Sequence, residues 1–166
     1  VKVRVLTNSL ASTDGIMAQS GYARQRYNLL KKGVELYELK PKAKSKASRS
    51  LKRSAKAKSG LHTKTYIFDR KEIFIGSFNF DPRSAQINTE LGIVSEIPEM
   101  AKFVASELFD GNVESCAYRV ILDDDEVTWI DAVGDKETRY THQPETSAWR
   151  RFNLNLYSLL PIESQL

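Results

Sequence analysis

The sequence predicts an α/β fold in which helices pack on a β-sheet. A strand-like run, VKVRVLT, is followed by a helical segment, Tyr22–Lys32, and then by a second strand-like run, VELYEL. Valines alternate with charged residues in the first run, as they do in a half-buried strand. A strand–helix–strand unit is typical of a sheet covered by helices. With 166 residues, 41% apolar and 28% charged, the composition predicts one soluble domain, 1–166, large enough to bury a core.

The connection after the first strand, NSLASTDG, is a polar loop rich in turn-forming residues. Its place at a strand end makes it a candidate to border a ligand site. A plain connection in which Asn8, Ser9 or Asp14 serves as a turn or cap residue explains it equally well. The helix that follows has Ala23, Tyr27 and Leu30 on one face, and the sequence predicts that it stops at Gly33.

The segment from Lys40 to Lys58 has nine basic residues and no acidic one. The whole chain has a formal charge of +4, so the remainder is net negative. Such a Ser/Ala/Lys-rich run cannot bury enough apolar surface to order itself, so we expect a disordered or loosely helical basic loop at 40–60. We expect it to bind anionic lipid headgroups, although the same charges would attract nucleic acid. A solvated insertion without a partner is the other interpretation.

The stretch that follows, His62–Asn79, combines an alternating strand pattern with side chains suited to phosphate chemistry. Residues two apart on a strand share a face, so His62 and Lys64 can converge on one ligand. Asp69 has the opposite parity and ends this strand before a turn, which favours a capping or ion-pair role. No cluster of Asp, Glu and His has metal-ligand spacing, so we predict neither a metal nor a cofactor and assign the positive charge of the site to Lys64.

A second strand, Glu72–Ile75, leads into Gly76, whose missing side chain permits close backbone approach. Ser77 and Asn79 follow with the same parity and present a hydroxyl and an amide. With Lys64 they form a set of donors for a phosphoryl oxygen, and an imidazole beside them can serve in covalent or proton-transfer chemistry.

The remainder predicts further strands and helices, and the single cysteine, Cys116, excludes an internal disulfide. The predicted elements are a short buried strand at LGIVS, a helix at Pro98–Phe109, a hairpin of Cys116–Leu122 and Val127–Ala132 about an acidic turn, a polar loop at Thr138–Thr146 that holds His142, and a final helix at Ser147–Leu160.

The stretch from His62 resembles the HxKxxxxD…GSxN signature of the phospholipase D superfamily. FDPRSAQINTE resembles the same family's continuation, in which a carboxylate orients the motif histidine; Glu90 is the matching residue here. The flanking segments TNSLASTD, GYARQRYNLLKKGVELYELKP and LPIESQL resemble the C-terminal half of cardiolipin-synthase-type members. The residues that match the signature are His62, Lys64, Asp69, Gly76, Ser77 and Asn79.

The resemblance implies a mixed β-sheet flanked by helices and a phosphatidyltransferase that acts through a phosphohistidine. It implies His62, Lys64, Asn79 and Glu90 as catalytic residues, Lys64, Ser77 and Asn79 as phosphate ligands, and Asp69 and Gly76 as structural residues of the motif. Family members have two copies of the signature, one in each lobe, whereas this sequence has one. The resemblance also implies that the histidine of the other lobe is the nucleophile, with His62 as general acid and then base.

Three hypotheses follow. In the first, the chain is one lobe of a transferase that makes cardiolipin or a related phospholipid. In the second, it is a single-copy phosphodiesterase or nuclease that completes its site as a homodimer. In the third, it is a non-catalytic fragment that binds anionic membranes. For the first we expect a phospholipid substrate, a second lobe (upstream in the same gene, or a second copy) and a peripheral location on the cytoplasmic face of the bacterial inner membrane. No apolar run approaches the length of a membrane span. Because Val1 already lies in a strand-like pattern, we expect the chain to be a piece of a longer protein.

Overall fold

A computed structural model describes residues 1–13, 15–41, 61–110, 113–134 and 136–159, apart from the side chain of Pro82. These residues form two compact units. The first contains the described parts of Val1–Leu61 and Glu114–Pro161, and the second is built on His62–Val113. That the whole of 1–166 is a single lobe stays a prediction.

Both units combine strands and helices, so the predicted α/β class is confirmed. In chain order the elements are β1 (Arg4–Asn8), α1 (Ile16–Lys31), β2 (Glu35–Leu39), β3 (Lys64–Phe68), β4 (Glu72–Gly76), α2 (Pro82–Gln86), β5 (Gly92–Glu96), α3 (Pro98–Ala105) with a π-helical continuation (Ser106–Asp110), α4 (Val113–Cys116), β6 (Ala117–Asp123), β7 (Glu126–Val133), β8 (Lys136–Tyr140) and α5 (Ala148–Leu159).

The first unit has a mixed five-stranded sheet in the order β1–β2–β6–β7–β8. The pair β1–β2 is parallel and the other neighbours are antiparallel, so the mixed sheet expected from the resemblance is confirmed. The helix α1 begins six residues before the predicted start at Tyr22. Ser20 and Gly21 have low helix propensity, so the sequence did not predict the first turns of this helix. Ser20 is buried, and tertiary packing outweighs its propensity.

An apolar cluster of Leu36, Tyr118, Val120 and Trp129 forms the centre of the first unit. Leu36 pairs with Val120 across the β2–β6 boundary, and Val120 pairs with Trp129 across β6–β7. Three neighbouring strands therefore contribute to one core.

A buried ion pair lies beside this cluster. Glu38 is fully buried, and one of its carboxylate oxygens lies 2.9 Å from the guanidinium Nε of Arg26. Trp129 and Tyr22 donate hydrogen bonds to its two carboxylate oxygens, at 2.9 and 3.2 Å. Burial raises the pKa of Glu38, and the charge of Arg26 opposes that rise more than these hydrogen bonds do. The guanidinium also lies over the rings of Tyr22 and Trp129, so α1 is attached to β2 and β7 through one polar cluster.

Lys40 was predicted to be the first residue of the disordered or loosely helical basic loop at 40–60, and the structure places it differently. It is 92% buried, its ammonium lies 2.6 Å from a carboxylate oxygen of Asp131, and it donates a hydrogen bond to the backbone of Glu114. It is therefore part of the first unit's packing. The rest of the predicted basic loop, 42–60, lies outside the described residues.

The C-terminal part of the first unit confirms the predicted hairpin and adds a strand. In the hairpin β6–β7, Asp124 and Asp125 both have positive φ, as in a type I′ turn. The strand β8 occupies part of the predicted polar loop Thr138–Thr146; its charged residues lack the alternation that predicts a strand, yet it pairs with β7 along five residues. The final helix ends at Leu159, and 160–166 are outside the described residues.

The second unit has a three-stranded antiparallel sheet in the order β3–β4–β5, with α3 packed against it. Ile73 and Ala101 are buried between the sheet and this helix. The predicted buried strand LGIVS is β5, but it is not buried: Ile93 and Val94 remain 72% and 64% exposed. Apolar composition predicted the strand correctly and its burial wrongly. Within the described ranges, every helix is too short or too polar to serve as a membrane span.

Replacement of Glu38 by alanine should destabilise the first unit by about 3–5 kcal/mol, because Arg26 would stay buried without its carboxylate. Glu35, on the same strand, pairs with Lys2 and Arg4 at the surface, so Glu35→Ala should cost at most about 1 kcal/mol. Urea unfolding followed by tryptophan fluorescence measures both variants. Equal losses in the two would contradict the assigned importance of the buried pair.

Candidate active site

His62 and Lys64 lie together at the start of β3. The strand itself begins at Lys64, two residues later than predicted, and His62 is exposed just before it. The ammonium of Lys64 is 3.4 Å from Nδ1 and 3.3 Å from Nε2 of the imidazole. A neutral imidazole has only one acceptor nitrogen, and the two ring nitrogens point apart in the ring plane, so the ammonium cannot donate to both. The two side chains thus lie in contact, as strand parity predicts, without a fixed hydrogen bond between them.

Two glycines align the three strands beside this pair. Lys64 is the register partner of Gly76, and Gly76 is the partner of Gly92. A Cβ atom at Gly76 would lie 2.5 Å from the carbonyl oxygen of Leu91 and 2.7 Å from the Cα of Gly92, both of which are backbone atoms. Only glycine therefore lets β4 and β5 approach this closely at the end next to Lys64.

Ser77 and Glu90 are joined where the chain leaves β4 and enters β5. The hydroxyl of Ser77 donates to a carboxylate oxygen of Glu90 at 2.5 Å. The backbone of Leu91 accepts from the Ser77 N–H at 2.8 Å and donates to its hydroxyl oxygen at 3.0 Å. Asn88 donates to the other oxygen of Glu90 at 3.3 Å, and Arg83 donates to Asn88 at 3.1 Å. The Ser77 hydroxyl is thus held on both sides.

The pKa of Glu90 lies below its ordinary value. The hydrogen bond from Ser77 is the largest cause, contacts with Ser84 and Asn88 add to it, and the positive charge of Lys64 also contributes. Glu90 is therefore an anion at neutral pH and accepts hydrogen bonds without donating any. The contribution of Lys64 connects the histidine–lysine pair to the serine–glutamate pair electrostatically.

The contact that the resemblance implies between Glu90 and His62 is not formed. Both carboxylate oxygens are directed to Ser77 and Asn88, which lie next to Glu90 across β4–β5 and along the chain. The orienting role of Glu90 therefore stays a prediction.

Asn79 is half-buried, and its amide has no hydrogen bond to any residue within the described ranges. Its donors are thus free for a ligand. Tyr66, which the motif did not single out, supports the chain on either side of this residue: its hydroxyl donates to the carbonyl of Phe78 at 3.0 Å, and its ring packs against Phe74 and Phe80. Burial, with the charges of nearby carboxylates, raises the pKa of Tyr66. The aromatic positions in β3 and β4 were its only signal in the sequence.

Asp69 lies in the turn between β3 and β4, away from these groups. Asp69 and Arg70 both have positive φ, and the N–H of Lys71 donates to the carbonyl of Phe68 to close the turn. Aspartate tolerates this backbone conformation better than most residues. The expected ion pair belongs to its neighbour, since Arg70 is bonded twice to Asp110, at 2.6 and 2.8 Å. Asp81, which lies in the FDPRSAQINTE segment, caps α2 by accepting a hydrogen bond from the N–H of Ser84.

Residues 1–110 match a family model described as a cardiolipin synthase, phospholipase D-like domain. The chain belongs to this family. Within it, the chain is 42% identical to cardiolipin synthase C of Escherichia coli (strain K12) over 98% of this chain and 35% of that protein. It is 33% identical to an uncharacterized protein of Helicobacter pylori (strain J99) over 97% of this chain and 31% of that protein. No solved structure matches the chain.

This phospholipase D-like chain spans about a third of the length of the curated relatives it matches. The described residues contain no group of three or more His, Cys, Asp or Glu side chains that could hold a metal ion. The polar groups that the second unit brings together are the Lys64 ammonium beside the His62 imidazole and the Ser77 hydroxyl bonded to the Glu90 carboxylate, whose pKa the charge of Lys64 helps to lower.

Substitution of Gly76 by alanine should separate β4 from β5, because the new methyl group would meet the backbone of Leu91 and Gly92 as well as the ring of Phe74. We expect a loss of about 1–3 kcal/mol, the usual cost of overpacking. At Gly15, the N-cap of α1, an added Cβ would meet its nearest neighbours at 3.9 Å, so Gly15→Ala is the control for added volume and should cost less than Gly76→Ala. Thermal unfolding compares the two. A Gly76→Ala protein as stable as the control would show that the close approach is not required.

Removal of the Ser77 hydroxyl by Ser77→Ala should raise the pKa of Glu90 toward its ordinary value, because the largest cause of the lowering is lost. A carboxyl with a lowered folded-state pKa stabilises the protein above its unfolded-state pKa and loses that contribution as pH falls through the folded value. Ser77→Ala should therefore reduce the dependence of stability on pH in the acidic range. Carboxyl ¹³C shifts during a titration measure the pKa, with Ser95→Ala on β5 as the control. An unchanged Glu90 titration in Ser77→Ala would refute the assignment.

Proposed function

We propose that this chain is one catalytic lobe of a phosphatidyltransferase that makes cardiolipin or a related phospholipid by transphosphatidylation. The observation that carries the proposal is the contact between His62 and Lys64, within 3.4 Å, in a chain of the cardiolipin synthase family. The donors that surround a phosphodiester in such a reaction are present in the same unit.

In the proposed reaction the histidine of a second lobe attacks the phosphorus of a phospholipid such as phosphatidylglycerol. A phosphorus–nitrogen bond forms, the bond to the leaving alcohol breaks, and His62 gives its proton to that alkoxide. In the second half, the hydroxyl of the acceptor lipid attacks the phosphohistidine. His62 takes the proton of that hydroxyl, and the phosphorus–nitrogen bond breaks.

Lys64 and Asn79 would stabilise the charge on the non-bridging oxygens during both steps. Lys64 supplies a positive charge, and the free amide of Asn79 supplies donors that need not be released from another partner. A phosphodiester near His62 and Lys64 would also offset the repulsion between two cations when the imidazole is protonated.

Ser77 would lie at the edge of the phosphate site. Its single hydroxyl hydrogen is donated to Glu90, so the hydroxyl would mainly orient that carboxylate. Ser77 could donate to a phosphate only after this hydrogen bond has broken. Glu90 would then orient His62 only after a shift of its side chain on substrate binding.

A second lobe is part of the proposal because one imidazole cannot be nucleophile and leaving-group acid in the same step. The curated relatives are about three times as long as the aligned region, which favours a lobe elsewhere in the same protein over a homodimer. The lipid substrate and the basic run in the sequence between Lys42 and Lys58 support a peripheral position on an anionic membrane, at the cytoplasmic face of the inner membrane.

The test replaces Lys64 by alanine in the chain combined with a second signature-bearing lobe. Conversion of labelled phosphatidylglycerol to cardiolipin should fall by about 10²–10³-fold, the scale of losing one preorganised charge-stabilising donor. Lys71, an exposed lysine of the β3–β4 turn, is the matched control, and Lys71→Ala should retain full turnover.

Other outcomes separate the alternatives. Cleavage of nucleic acid by the 166-residue chain alone, as a dimer, would replace the proposal with a single-copy nuclease. Binding to anionic vesicles without any turnover in the two-lobed protein would leave a membrane-binding fragment. A phosphoryl adduct trapped on His62, with none on the second lobe, would reverse the assignment of nucleophile and acid.

A further inference from the structure

The side chain of Asn8 forms two hydrogen bonds with the backbone of one distant residue, Leu61. The amide nitrogen of Asn8 donates to the carbonyl of Leu61 at 2.8 Å, and the N–H of Leu61 donates to the amide oxygen of Asn8 at 2.6 Å. The two residues are 53 positions apart and belong to the same compact unit. One carboxamide thus satisfies both backbone groups of Leu61, as a neighbouring strand would.

Asn8 is itself held in place. It is the last residue of β1 and pairs with Leu39 of β2. The hydroxyl of Ser12 donates to its amide oxygen at 3.4 Å, and Ser12 is fixed by a turn in which its N–H donates to the backbone and the hydroxyl of Ser9. Both serines are buried. The polar loop after β1 therefore orients the Asn8 amide toward Leu61.

Leu61 immediately precedes His62 in the chain. Residues 61–63 belong to no strand, since β3 begins at Lys64, so no sheet ladder holds the backbone at this point. The two bonds to Asn8 hold the backbone there, one residue before the candidate catalytic imidazole. Without them, the chain from Leu61 to Lys64 could rotate about its backbone dihedrals.

We infer that Asn8 is a positioning residue for His62. By bonding to both backbone groups of Leu61, Asn8 restricts the backbone dihedral angles next to His62. This restriction limits the positions that the imidazole can occupy. This role rests on the proposed function for its catalytic meaning, but the restraint itself is independent of activity. Asparagine is specifically suited to it because the side chain must donate and accept at once, which neither aspartate nor leucine can do.

The restraint can be tested by NMR on the 166-residue chain, which has two histidines, His62 and His142. Asn8→Ala should shift and broaden the imidazole Hε1 signal of His62 and leave that of His142 unchanged; loss of one signal in His62→Gln assigns the two. Asn28→Ala, at an exposed asparagine of α1, is the matched control and should move neither signal. An unchanged His62 signal in a folded Asn8→Ala protein would overturn the inference.

A second variant covers the case in which Asn8→Ala does not fold. Asn8→Asp keeps the acceptor for the Leu61 N–H and loses the donor to the Leu61 carbonyl. We expect the Leu61 amide to stay protected from hydrogen exchange in this variant while the His62 signal moves part of the way. If the Leu61 amide exchanges freely in the unmodified chain, the inferred restraint does not exist.

Activity gives the functional arm of the test, in the two-lobed protein. Asn8→Ala should lower kcat by about 10–100-fold, as small misplacements of a catalytic group do, with a smaller change in KM. Asn28→Ala should leave both constants unchanged. A moved His62 signal with unaltered kcat would refute the positioning role, whereas a moved signal in a protein without phosphatidyltransferase activity would refute the proposed function and leave the restraint intact.

Discussion

The candidate site depends on the close approach of two strands at a pair of glycines. At Gly76 the backbones of β4 and β5 come nearer than any side chain would allow, and at Gly92 the ring of Phe74 occupies the place that a side chain would need. That approach places Leu91 against Ser77, and Leu91 in turn follows Glu90. A serine and a glutamate 13 residues apart can therefore share a hydrogen bond beside Lys64. The polar chemistry of the second unit thus follows from the absence of two side chains.

The first unit has a different organisation, since its core includes charge. Arg26 and Glu38 are both nearly inaccessible, and their burial is tolerable because they form an ion pair and because Trp129 and Tyr22 donate hydrogen bonds to the Glu38 carboxylate. The apolar contacts supply most of the driving force for folding, and the polar cluster connects α1 to β2 and β7.

The sequence alone predicted those features that depend on local pattern. Strand parity predicted that His62 and Lys64 share a face, and the acidic turn near Asp124 predicted a hairpin. Burial of β5 was predicted wrongly, because apolar residues indicate a strand without indicating what covers it. The strand β8 was missed since its neighbour β7, rather than its own composition, stabilises it. The Asn8–Leu61 contact joins residues too distant in sequence for any local pattern to indicate it.

The exposed apolar residues of β5 have a consequence for handling the isolated chain. In the described sheet β5 is an edge strand, with Ile93 and Val94 largely open to solvent and Leu91 81% exposed just before it. An edge with unpaired backbone groups and apolar side chains is a template on which other copies can pair. This edge therefore favours self-association of the isolated chain, and charged substitutions at Ile93 or Val94 are the changes that would relieve it.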